Sequence, residues 1–255
     1  MRSLVSAYGT FAGVSVFQLE RKDQSLRTVL SLFCYRNTEP RNGNRNTSSS
    51  RMTPEHPIHN CRFTAIDFES AGATRGKSDS PVQIGLASWS AATGHANALV
   101  SYLHTDQPIL WSAQKVHGIT ALDLTEAPTL IALWPEVKSR LSGAVVVAHG
   151  KGTEKRFLRA FPGHGFGPWI DTLLLARAAW PELADHSLGA LCEVHGLTAE
   201  IRGLVALRSW HDALFDAVAS LILLGHIIQT HSLLDEPLGS LLYPDTSRWH
   251  ARRRA

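Results

Sequence analysis

Three short stretches of the 255-residue chain carry side chains able to do chemistry. In Phe63-Thr-Ala-Ile-Asp67-Phe-Glu69, two carboxylates stand at i and i+2. On a β-strand they share one face, with Cα atoms about 6.6 Å apart, while Ile66 and Phe68 point to the other. Two acids ending an apolar strand repel each other and lose hydration, and a cation between them relieves both penalties. A solvated strand end produces the same pattern without an ion. In Val145-Val-Val-Ala-His149-Gly-Lys-Gly-Thr-Glu154, an apolar run meets a glycine-rich turn and Glu154 falls at the start of the next helix. Lys151, Lys155, Arg156 and Arg159 gather there as candidate phosphate contacts. Taken alone, the segment reads better as a solvated helix start. The third stretch is Ser209-Trp-His211-Asp212-Ala-Leu-Phe-Asp216. Five helical residues turn the direction by about 140°, so His211 shares a site with Asp216 only by swinging across from the first turn. Asp216 lies among Leu214, Phe215, Ala217 and Val218. A carboxylate in such company needs a partner, and a metal ion is the obvious one.

The elements that must position these groups follow from pattern. Arg62–Phe68, Val82–Ser90 and Ala96–Leu103 are rich in β-formers and joined by short connections, which predicts three antiparallel strands. Leu130, Ile131, Leu133, Trp134, Val137 and Leu141 recur at helical spacing and predict a helix over Pro128–Leu141. Ala144–Ala148 is continuous enough for a strand buried on both faces. A short helix over Thr153–Phe161 follows, then a brief strand at Trp169–Ile170. Asp171 is placed to cap a helix over Thr172–Ala179, and Gly196 to close one over Ser187–His195. The last helix is expected to open with the capping-box-like Ser209-x-x-Asp212 and run to about Ile228. The order predicts an α/β domain of three layers, a mixed five-stranded sheet flanked by helices.

Taken together, the pieces resemble the DnaQ-like 3′→5′ exonucleases of the DEDDh type, a branch of the ribonuclease H-like fold. Asp67-x-Glu69 followed by Gly72 is similar to the family's first motif, with Ser70-Ala71 where two threonines are usual. Val116-His-Gly-Ile-Thr120, Asp171-Thr-Leu-Leu-Leu-Ala-Arg177 and His186-Ser-Leu-Gly-Ala-Leu-Cys192 are similar to its connecting segments. His211 and Asp216-Ala217 match the third motif. The second motif departs: Gly150 stands for Asn, Thr153 for Phe and Glu154 for the metal-associated Asp. The added methylene lengthens that side chain by about 1.5 Å. The resemblance implies in-line hydrolysis of a terminal phosphodiester with two divalent ions, Mg²⁺ or Mn²⁺. Asp67, Glu69 and Asp216 would hold the first ion, and Asp67 with Glu154 the second. His211 would be the general base. The implied partners are single-stranded or frayed 3′ ends of DNA or RNA, with a polymerase or a second copy of the chain as protein partner. The alternative, raised by Glu154, is a catalytically weakened module that binds nucleic acid or a partner without cutting.

Composition narrows the rest. Residues 1–60 carry a net charge of +4, whereas residues 61–247 carry −5, so the body has no broad basic face for binding polyanions. Three cysteines without a Cys-x-x-Cys argue against a disulfide framework or zinc ribbon and for a reducing cytoplasm. Ala213–Ile228 contains Asp216 and His226 and reads as a buried helix, not a membrane span. Leu4–Phe17 is too diluted by Ser, Tyr and Gly for a signal peptide. The expected organisation is a disordered basic arm over residues 1–60, with Met52 as an alternative start, an exonuclease domain over 61–233, and a loose tail over 234–255. Gly72-Ala-Thr-Arg-Gly76-Lys77-Ser78 has one residue too few for a phosphate-binding loop and precedes a strand.

Overall fold

Alternation along the first long strand decides how the layers stack. In the computed structural model, which describes residues 6–7, 17–18, 52–73 and 79–244, β1 spans Phe63–Ser70. Phe63 and Ala65 enter one apolar cluster and Ile66 and Phe68 the other, so the strand is buried on both faces near its start. Asp67 and Glu69 continue the Phe63–Ala65 face. β2 (Pro81–Ser90) and β3 (Gly94–Tyr102) extend the sheet antiparallel. β4 (Val145–Ala148) and β5 (Trp169–Asp171) extend it in parallel on the other side. The spatial order is 3-2-1-4-5. A separate two-residue antiparallel pair joins Ser6–Ala7 to Phe17–Gln18.

One face carries α2 (Leu130–Leu141) and α3 (Gly152–Leu158), through Trp134, Val137, Leu141, Phe157 and Leu158. The other carries α4 (Thr172–Ala179), α5 (Leu188–Val194), α6 (Thr198–Leu204) and α7 (Ala213–Thr230). α7 lies across β1 and β2. Among the described residues it is the one helix long and apolar enough to cross a membrane by length and composition, but 72% of it is buried inside the protein. It approaches so closely because residue 85 is glycine: a Cβ there would stand 2.1 Å from the Ala213 carbonyl carbon.

The mixed sheet and the three layers match the expectation, and Asp171 caps α4 by accepting from the N–H groups of Leu173 and Leu174. The last helix starts later than expected. Asp212 is itself the N-cap, accepting from the N–H groups of Leu214 and Phe215, while Asp212 N–H closes a turn on the Ser209 carbonyl. α1 (Trp111–His117) and α6 were not expected. Neither has a side-chain cap, and between them they bury only Ile201, so no apolar period announces them.

The expected boundaries at 61 and 233 are crossed by packed structure. Ile58 N–H donates to the Glu236 carbonyl (2.9 Å), Leu238 N–H to that of His56 (2.7 Å), and Pro57 bridges Pro237. Ile58, Leu238 and Leu241, the last in α8 (Gly239–Leu242), are all at most 2% exposed. Each stretch is too poor in apolar residues to form structure alone, and each completes the other across about 180 positions. Apart from residues 6–7 and 17–18, the expectation for residues 1–51 lies outside the described residues, as do those for the Gly76–Ser78 stretch and for the tail beyond residue 244.

Candidate active site

The acids meet where β1 ends beneath the start of α7. Opposite residues of an antiparallel pair share a face; Asp67 faces Gly85 and Glu69 faces Gln83, so both carboxylates lie on the side α7 covers. Asp216 sits in the first turn of α7. Its Oδ2 accepts from the His211 N–H at 3.2 Å, and its Oδ1 is buried with no hydrogen-bond partner. His211 does not swing from a first helical turn, as the spacing suggested. It precedes the helix with φ +67°, a left-handed conformation that puts it beside the acids. Ligand atoms of Glu69, His211 and Asp216 all lie within 4.8 Å of one another.

Glu154 arrives from the opposite layer. Gly150, at φ +82°, turns the chain sharply after β4, and its N–H donates to Asp171 Oδ1 at 3.0 Å. His149 braces the turn, its Nε2–H donating to the His186 carbonyl at 2.9 Å. α3 then begins, and Glu154 is 4% exposed with Oε2 unpartnered.

The electrostatics show how tightly these groups are held. Burial first, then the charges of Asp216, Glu154, Glu69 and Asp212, push Asp67 well above the usual carboxylate range. Glu69 is raised to about 8 by burial, then by Asp216 and Asp212. Burial raises Asp216 to about 7 against the opposing His211 N–H, and Asp212 adds to it. Glu154 is raised to about 7, again chiefly by burial. Orphaned carboxylate oxygens in a cluster of mutually repelling acids are the donor set of a hard divalent cation. Glu69, Asp216 and His211 bring ligand atoms together in that way, while Asp67 and Glu154 are tied to them by burial and charge and not by membership of that group.

The exonuclease (RNase T) sequence family matches residues 64–224, more than half of the chain. The chain belongs to the DnaQ-like exonuclease family. Among its relatives, a DNA polymerase III subunit epsilon-like protein of Rhodobacter capsulatus is 29% identical over 171 residues, 65% of this chain and 23% of that protein. The PolC-type DNA polymerase III of Streptococcus thermophilus is 27% identical over 199 residues, 72% of this chain and 13% of that protein. The chain thus spans less than a quarter of these relatives' lengths. Solved structures share the fold: exonuclease X in complex with 5′ overhanging duplex DNA (TM-score 0.54, 24% identity, 71% of this chain and 99% of that one), and the nuclease domain of 3′hExo, a DEDDh family member bound to rAMP (TM-score 0.57, 12% identity, 72% and 98%).

This exonuclease domain holds functional groups that the sequence reading passed over. Asp212 was read only as part of a helix start, yet its charge acts on Asp67, Glu69 and Asp216. Its Oδ2 takes Gln83 Nε2–H at 3.0 Å and the Arg208 guanidinium. No local pattern links residues 83 and 212. His117, inside the noted Val116–Thr120 stretch, accepts the Ile119 N–H on Nδ1 (3.0 Å) and therefore donates from Nε2 to the Ser70 carbonyl (3.1 Å). It thereby ties α1 to the residue after Glu69.

Proposed function

We propose that the chain is a metal-dependent 3′→5′ exonuclease that hydrolyses terminal phosphodiesters at single-stranded or frayed 3′ ends of DNA or RNA. The observation that carries this reading is the convergence of Glu69, His211 and Asp216 within 4.8 Å inside an exonuclease-family domain. Asp67, Glu69, Glu154 and Asp216 would hold two divalent ions, Mg²⁺ or Mn²⁺, which when bound supply Lewis-acid stabilisation at the attacking and leaving oxygens. His211, exposed at the rim, accepts the proton of the attacking water, a task open to an imidazole ring nitrogen. Its N–H bond to Asp216 keeps the backbone of that base against the acids. On α1, Trp111 is 74% exposed with Lys115 over its ring at 5.1 Å. An aromatic face beside a cation suits a stacked base and its phosphate, and the helix is bonded to the strand that carries Glu69.

Glu154 favours a working site over the weakened alternative. It is buried, its charge acts on Asp67, and one carboxylate oxygen has no hydrogen-bond partner. A protein partner such as a polymerase is suggested by the relatives, which are polymerase III proteins. The deciding experiment is digestion of 5′-labelled DNA and RNA oligonucleotides with Mg²⁺ or Mn²⁺. A descending ladder that is lost with chelator and with Asp67→Ala supports the reading; intact oligonucleotides under every metal overturn it.

A further inference from the structure

The Asp212 carboxylate makes more hydrogen bonds than a helix cap requires. Oδ1 accepts from Leu214 N–H (3.1 Å) and Phe215 N–H (3.2 Å), while Oδ2 accepts from Arg208 and from Gln83 Nε2–H (3.0 Å). A carboxylate has about four lone-pair sites, so Asp212 has none left for an ion. Its charge therefore borders the acidic cluster without joining it. Gln83 is equally committed: its Oε1 accepts from Ala213 N–H at 2.9 Å, and the residue is 3% exposed. Gln83 faces Glu69 across the β1–β2 ladder. The bridge thus joins the strand pair bearing Glu69 to the chain segment on which His211 stands.

His211 needs such a hold. A residue with a Cβ takes φ +67° uncommonly and at some cost, so contacts on either side that favour it matter. On its N-terminal side Trp210 packs edge-on to Phe215, ring centroids 4.8 Å apart. On its C-terminal side stands Asp212, and Arg208 closes the segment from four residues back. The Arg208 side chain is 18% exposed and spans the turns 205–208 and 209–212.

We propose that Gln83, Arg208 and Asp212 are positioning residues that hold His211 in register with Glu69 and Asp216. The inference rests on the proposed exonuclease reading for its catalytic consequence, though not for its structural one. The variants are Arg208→Met, which keeps the aliphatic stem at a partly exposed site, and Asp212→Asn, which keeps a good N-cap but places an amide against two donors. Each is measured alone and combined with His211→Ala. Misplacing a general base costs about 10- to 100-fold, so each single variant is expected to lose that much kcat with KM unchanged. Arg208→Met is not expected to lose more in the His211→Ala background, because residues acting through one group are not additive; any loss that Asp212→Asn keeps there reads the separate effect of its charge on Asp67, Glu69 and Asp216. An equal loss for Arg208→Met in both backgrounds, or a loss in KM alone, overturns the proposal. A second readout needs no catalysis. In metal-free protein, the His211 ring proton resonances are expected to be single and sharp in the parent and broadened or shifted in Arg208→Met, with the thermal midpoint reporting that the variant is folded. Unchanged His211 resonances overturn the proposal even if the parent cleaves nothing; an inactive parent with shifted resonances overturns only the exonuclease reading.

Discussion

Glu69 near 8, with Asp216 and Glu154 near 7, sits far above the value of about 4 for a carboxylate in an unfolded chain. Between those limits the folded molecule holds more protons than the unfolded one, so stability declines as pH rises through them and is greatest below. A divalent cation displaces those protons and opposes the trend. Accordingly, the thermal midpoint of chelator-treated protein is expected to fall between about pH 4 and pH 8 and to level off above. Mn²⁺ should raise it more at the upper end, which a melting series checks; a flat profile would contradict the crowding of acids. At the same scale, Glu154→Asp is expected to bring no gain in kcat beyond about twofold, because Glu154 is buried with one carboxylate oxygen unpartnered and its charge bears on Asp67, and shortening the side chain by about 1.5 Å withdraws that charge. A large gain would mean that the second motif is impaired in this chain. Asp67, Glu69 and Asp216 stood out because charge on an apolar strand or helix is conspicuous, whereas Glu154, among Lys151, Lys155 and Arg156, became a site residue only through the resemblance. Gln83 and Arg208 were not, since a neutral amide in a strand and an arginine in a turn become informative only once Asp212 lies between them.

Strands and long helices were legible from their periodicity, and the errors fall where tertiary contacts, not local pattern, set the structure. α1 is held by Leu110 N–H on the Ala71 carbonyl and by His117 on that of Ser70, and nothing within the helix reveals either bond. Its exposed face carries a prediction: Trp111→Ala is expected to raise KM for a single-stranded oligonucleotide about 5- to 100-fold with kcat preserved, the worth of one stacked base. Steady-state kinetics check it, and an unchanged KM would remove α1 from the substrate path. The start of α7 depends on the absence of a side chain at Gly85. Gly85→Ala would force a methyl into the backbone of Ala213 and Leu214, 2.1–2.3 Å away. The expected cost is about 3 kcal/mol, seen as a lower thermal midpoint together with loss of cleavage, because the same displacement moves Asp216.

At the scale of the molecule, the packed unit reaches beyond the stretch that periodicity marks out. Cutting the chain to residues 61–233 removes Ile58, Leu238 and Leu241 from the core, all at most 2% exposed. Truncation to residues 61–233 is expected to melt several degrees below truncation to residues 52–244, or to abolish soluble expression. Parallel melts of the two fragments check this, and equal midpoints would show that the paired segments add nothing. The pairing was invisible in sequence because its two halves lie about 180 positions apart and neither holds a complete hydrophobic period. With Pro57 bridged to Pro237 just ahead of β1, polypeptide comes in and goes out side by side, at the pole away from the acids. A segment joined ahead of Pro57 and one joined after Pro237 therefore both set out from the end of the sheet opposite the acids.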